Sequence, residues 1–118
     1  MQEKLKSRDR TDCVVVHFTG NEDTHFKQIR EQHLEQGLEE IGYHYVIEAD
    51  GKILMGRHQS KIGAHREEFD ESSIAICVIG EKDDMGEEQT VAYHLLLDKL
   101  RKDYPDLKSI KHIYRIPG

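Results

Sequence analysis

A histidine closes an otherwise apolar run, Cys13-Val14-Val15-Val16-His17-Phe18. Two more groups of chemical interest follow: Tyr43 within Gly42-Tyr43-His44-Tyr45, and His112, six residues before Gly118. An imidazole set among buried apolar side chains must be paired, because burying an unpartnered polar group costs free energy. Neutral imidazole is also the commonest protein ligand for zinc. Two histidines far apart in the chain, with a tyrosine on a third segment, point to a catalytic metal centre. The ordinary alternative for His17 is a core histidine bonded to a neighbouring backbone group. Cys13 and His17 share one face of the run but lie about 13 Å apart along a strand. They cannot bind the same ion, so partners for His17 must come from other elements.

The β-branched run from Val14 to Phe18 reads as a buried strand. Asp23 to Gln36 reads as a helix: Asp23 or Thr24 can cap it, Phe26, Ile29, His33 and Leu34 recur at helical spacing, and Gly37 stops it. Tyr43–Glu48 and Lys52–Arg57 flank Ala49-Asp50-Gly51, a hairpin signal because Asp-Gly tolerates positive φ. A polar loop covers residues 58 to 72, and Ser73–Ile79 is a second buried strand ended by Gly80. Glu87–Asp103 is the longest helix, with Val91, Leu95, Leu96, Leu97 and Leu100 on a broad apolar face. Pro105 closes it, and Ser109–Ile113 can form a last strand. Strands alternating with helices give an α/β (α+β) class: a single domain with a central mixed β-sheet flanked by helices. Residues 1–10 are a charged lead-in or edge segment, and residues 11–118 form the domain.

With 118 residues the chain can bury one real core but not two. Its formal charge of -6 argues against non-specific nucleic-acid binding, which needs a basic face. An anionic substrate would have to meet local basic groups such as Arg57, Lys61 or Arg66. Cys13 and Cys77 sit in apolar runs and read as buried reduced thiols. No segment approaches the length of a membrane span, and the charged start Met1-Gln2-Glu3-Lys4-Leu5-Lys6 has no apolar signal region. These features suggest a protein that is cytoplasmic when made. The pairs Glu67-Glu68, Asp83-Asp84 and Glu87-Glu88 read as solvated surface and lack the pattern of a two-carboxylate glycosidase.

Thr11-Asp12-Cys13-Val14-Val15-Val16-His17 resembles the opening strand of zinc-dependent N-acetylmuramoyl-L-alanine amidases. These are the amidase-type phage lysozymes, which share a fold with the peptidoglycan recognition proteins. Ile29-Arg30, His33, Glu35-Gln36-Gly37 and Gly42-Tyr43-His44-Tyr45 continue the likeness in order. So do the Asp50-Gly51 hairpin ending in Gly56-Arg57, then Gly63-Ala64-His65 and Ser73-Ile74-Ala75-Ile76-Cys77. The likeness runs from residue 11 onward.

Carried over by position, the resemblance implies His17 as the first zinc ligand and His112 as the second; an alternative alignment places Ile113 there. It implies Tyr43 as the catalytic tyrosine beside a metal-bound water. His65, in the polar loop beside Gly63, reads as lining a cleft and contacting substrate. A third ligand, Cys or Asp, and an assisting Lys would follow Ile116-Pro117-Gly118, so the domain is expected to be C-terminally incomplete. Zinc with three protein ligands lowers the pKa of its bound water to about 7 and polarises a carbonyl. The implied reaction is hydrolysis of the amide between N-acetylmuramic acid and L-alanine in peptidoglycan. The protein would act on the cell wall after release from the cell. The alternative is a non-catalytic module of the same fold that binds muropeptides or a protein partner such as an RNA polymerase, for which the acidic surface would suit a basic partner. Strand alternation sets His44 opposite Tyr43 and so makes it structural. His25, His33, His58 and His94 read as ordinary helix or loop residues.

Overall fold

A computed structural model describes residues 4–21 and 23–113. The elements run β1 (Cys13–Phe18), α1 (Phe26–Glu35), β2 (Tyr45–Ile47), β3 (Ile53–Met55), β4 (Ser73–Val78), α2 (Glu87–Asp103) and β5 (Ser109–Ile113). The five strands form one sheet in the order β3-β2-β4-β1-β5. β1 is parallel to both β4 and β5, β2 is parallel to β4, and β3 is the antiparallel hairpin partner of β2. The mixed sheet flanked by helices is the architecture expected from the alternating pattern.

Successive strand side chains point to opposite faces, and here each face has its own helix. Val14, Val16 and Phe18, with Tyr45, Ile47, Ile74, Ile76 and Val78, pack against Ala92, Tyr93, Leu96, Leu97 and Leu100 of α2. The opposite face is smaller: Val46 and Cys77 join Ile29 of α1, Ile41 and Ile79, with Phe26 and Tyr43 partly buried against them. His17 belongs to this second face and lies one residue from the carboxyl end of β1. That end of a parallel strand is where open α/β sheets commonly bind ligands.

α2 keeps its expected bounds, but its apolar face is rotated from the expected one. Leu96, Leu97 and Leu100 are buried, whereas Val91 is 53% and Leu95 62% exposed. Ala92 and Tyr93 fill the sheet contact in their place. α1 starts later than expected, at Phe26. Its first amide is capped by the Glu48 carboxylate, which accepts from Phe26 N at 3.0 Å, while Gln28 Oε1 accepts from His25 N at 2.9 Å. A carboxylate brought from the end of β2 thus replaces the local Asp23 or Thr24 cap. The lead-in is tied to the long loop: Ile62 N donates to Lys6 O at 2.7 Å and Arg8 N to Ser60 O at 2.8 Å. Cys13 and Cys77 are both free and buried.

Two buried polar side chains brace the loops around the sheet. Gln89 Nε2 donates to the carbonyl oxygens of Ile47, Glu48 and Ile79. Arg57 donates to those of Ile41, Ile62 and Glu40 at 2.9 to 3.2 Å. Arg57, suggested by sequence as a contact for an anionic substrate, is 2% exposed and spent on backbone carbonyls.

Candidate functional site

On the α1 side of the sheet, a cleft of about 450 Å³ opens at the carboxyl end of β1. His17 and Tyr43 line it, with Thr19, Thr24, Gln32 and Arg66 as polar groups and Ile29, Cys77 and Ile113 as apolar ones. The His17 ring lies between two partners. Its centroid is 5.3 Å from that of Tyr43, tilted, and 5.0 Å from that of His65, edge-on. His17 Nε2 and His65 Nδ1 are 2.8 Å apart, a hydrogen-bond distance.

His65 is held from behind. Its Nε2 lies 3.0 Å from Ser73 Oγ and 3.4 Å from Asp70 Oδ1, and its side chain is wholly buried. The Asp70 carboxylate folds this part of the loop by accepting from the backbone amides of His65 and Arg66 at 2.9 and 2.8 Å. Close packing sets the other side. A Cβ on Gly63 would come within about 3.0 Å of both the His65 and His44 rings, so only glycine lets them approach the chain there. His44 is fully buried, with Nδ1 accepting from Ala75 N at 2.9 Å and Nε2 donating to Lys61 O at 2.7 Å. It is structural, as its position opposite Tyr43 suggested.

Burial sets the protonation states. Loss of hydration, with Arg66 nearby, lowers the His17 pKa to about 4, against a smaller opposing pull from Asp70. Burial lowers that of His65 to about 3, helped by the nearby His17, His44 and Arg57. Both imidazoles are therefore neutral at neutral pH. Burial also raises the Tyr43 pKa, so its hydroxyl keeps its proton. The site offers a neutral imidazole nitrogen and one phenolic donor side by side at the cleft.

The four residues expected at the site are not all together. His17, Tyr43 and His65 meet, but the structure does not bring His112 to them. The parallel register sets His112 beside Val16 and Ile113 beside His17. His112 is therefore on the α2 face, its Nε2 2.8 Å from the Tyr93 hydroxyl and its ring 6.0 Å from that of Phe18. Ile113, the alternative in the alignment, is the residue that reaches the cleft. Among the described residues no group of three His, Cys, Asp or Glu side chains could hold a metal ion. The segment Ile116-Pro117-Gly118, after which a third ligand was expected, lies outside the described residues.

One residue passed over by sequence reasoning does reach the site. His33 lines the cleft with its ring 5.4 Å from Tyr43, and its Nδ1 accepts from Gly42 N at 2.8 Å. The signal was its spacing from Ile29, four residues earlier on the buried side of α1. That spacing says which way His33 faces but not that Tyr43 waits there.

A family model described as N-acetylmuramoyl-L-alanine amidase matches residues 7–117. The chain is 34% identical over 86 residues to an endolysin of Escherichia phage T7, an alignment spanning 70% of this chain and 57% of that endolysin. It is 31% identical over 119 residues to an endolysin of Enterobacteria phage K11, covering 92% of this chain and 79% of the relative. Among solved structures, the N-acetylmuramoyl-L-alanine amidase LysC of Clostridium intestinale superposes with a TM-score of 0.84 at 24% identity, covering 93% of this chain and 74% of that one. The bumblebee protein PGRP-SA superposes at 0.79 with 22% identity, covering 94% and 75%. These two structural likenesses concern the fold.

Proposed function

Since this chain belongs to the N-acetylmuramoyl-L-alanine amidase family, we propose that it hydrolyses peptidoglycan at the amide between N-acetylmuramic acid and L-alanine. The match to the T7 phage relative spans just over half of that endolysin. The observation that carries the proposal is the meeting of His17 and Tyr43 in the cleft, their rings 5.3 Å apart. A neutral imidazole and a protonated phenol at such a spacing suit attack of water on an amide carbonyl.

In this reading His17 presents a nitrogen lone pair to the cleft. Tyr43 donates its hydroxyl proton in a hydrogen bond, to the attacking water or to the oxyanion that develops on the carbonyl. His65 fixes the His17 ring and is a positioning residue rather than the direct substrate contact suggested by sequence, because its side chain is wholly buried. Thr24 and Gln32 supply hydroxyl and amide groups for sugar and peptide. Arg66, exposed and beside His17, supplies a cation for an anionic substrate group.

Zinc is the cofactor that family membership implies, and when bound it would supply an activated water and a polarised carbonyl. The described residues do not fit it by themselves. Of the donors it would need, His17 is in place and His112 is across the sheet, and among the described residues no group of three His, Cys, Asp or Glu side chains converges to hold the ion.

Among the described residues no helix is long and apolar enough to cross a membrane. The proposed site of action is the cell wall, reached from the cytoplasm after release.

The test is digestion of purified sacculi by the full chain, with added zinc and separately with chelator. The expected products are new L-alanine amino termini without new reducing sugar ends. Reducing ends would indicate a glycosidase instead. Sacculi bound but uncut in both conditions would leave a binding module of the amidase fold.

A further inference from the structure

We propose that Ser73 is a positioning residue, which fixes through His65 the ring nitrogen, Nδ1, that His17 presents to the cleft. One chain of hydrogen bonds fixes where the protons sit. Ser73 Oγ lies 2.7 Å from the carbonyl oxygen of Phe69, which can only accept, so the hydroxyl proton is committed there. Ser73 Oγ can then only accept from His65 Nε2 at 3.0 Å. Asp70 Oδ1 is 3.4 Å from the same nitrogen but makes no hydrogen bond to it, being spent on the amides of His65 and Arg66, so the Ser73 hydroxyl is the acceptor that places the proton on Nε2. In the neutral ring that leaves His65 Nδ1 bare. Across the 2.8 Å contact, His17 Nε2 must therefore be the donor. A neutral His17 with its proton on Nε2 carries its remaining lone pair on Nδ1.

Nothing else competes for that lone pair. His17 makes no further hydrogen bond among the described residues. No buried side-chain nitrogen or oxygen among them lacks a partner, so Nδ1 is open to the cleft it lines. The inference about tautomers stands on these contacts alone; its consequence for turnover rests on the amidase reading.

The experiment is a long-range proton–nitrogen correlation spectrum of the nitrogen-15-labelled full chain, chelator-treated, at neutral pH. Ser73→Ala and Ser73→Thr are recorded beside it. In the wild type both His17 and His65 should carry the proton on Nε2 alone. Ser73→Ala should shift both rings toward the Nδ1–H form, and Ser73→Thr, which keeps the hydroxyl, should restore the wild-type pattern. On sacculi, Ser73→Ala should lower kcat by roughly tenfold with KM unchanged, in line with the effect of removing an outer-shell partner, and Ser73→Thr should recover it.

A wild-type spectrum with the His17 proton on Nδ1 overturns the proposal, even if neither variant folds. So does a Ser73→Ala spectrum identical to the wild type. If no form cuts sacculi, the amidase reading fails while the spectra still decide the tautomer.

Discussion

Acid should destabilise this fold well before its carboxylates titrate, and His44 shows why. An exposed imidazole has a pKa near 6.5, whereas burial lowers that of His44 to about 4. As pH falls through 6.5 the unfolded chain takes up a proton that the folded protein refuses until about pH 4. Stability is therefore fully present above that window and lost on acidification through it. Between pH 7 and 5 one such group costs about 2 kcal/mol. His17 and His65 have similarly lowered values, so the three together cost on the order of 5 kcal/mol, a large share of the stability of a small domain. The assay is urea unfolding of the chelator-treated protein at pH 7, 6 and 5. His44→Gln, which offers an amide oxygen and an amide N–H for Ala75 N and Lys61 O, should shrink the loss between pH 7 and 5 by about 2 kcal/mol. Equal wild-type stability at pH 7 and 5, or a His44→Gln protein that loses as much as the wild type, would refute the reasoning.

Four further outcomes are expected. Tyr43→Phe should lower sacculus hydrolysis roughly 100-fold, the order seen when one oxyanion donor is lost, while urea unfolding shows stability within about 1 kcal/mol of wild type. His17→Ala should reduce hydrolysis to background in the same assay, with far-ultraviolet circular dichroism unchanged. Arg57→Met should cost about 3 kcal/mol or more in denaturant unfolding, because it strands the carbonyls of Ile41, Ile62 and Glu40 without their shared donor. Gly42→Ala should lower the melting temperature sharply, because the added methyl would collide with the Ala64 carbonyl and push away the segment that carries Tyr43 into β2.

The sequence alone determined the strand and helix order, the hairpin at Asp50-Gly51 and the bounds of the long helix. These follow from local periodicity and turn chemistry, which a single segment carries within itself. It also carried the family likeness and singled out His17, Tyr43 and His65, which the fold does bring together. Tertiary structure decided the rest. Alternation says that neighbours in Ser109–Ile113 face opposite ways, but not which faces the cleft. Pairing with β1 settles that phase, and it sends His112 toward Tyr93 and Ile113 toward His17. Likewise Val91, Leu95 and Leu96 all look apolar on one helix, and only the angle at which α2 meets the sheet leaves the first two in solvent. Arg57 reads as a surface cation until three separate carbonyls converge on it. Ser73 reads as the first residue of a strand until Phe69 and His65 close around its hydroxyl. Each is a contact between segments distant in space or sequence, and no local pattern encodes the partner's position.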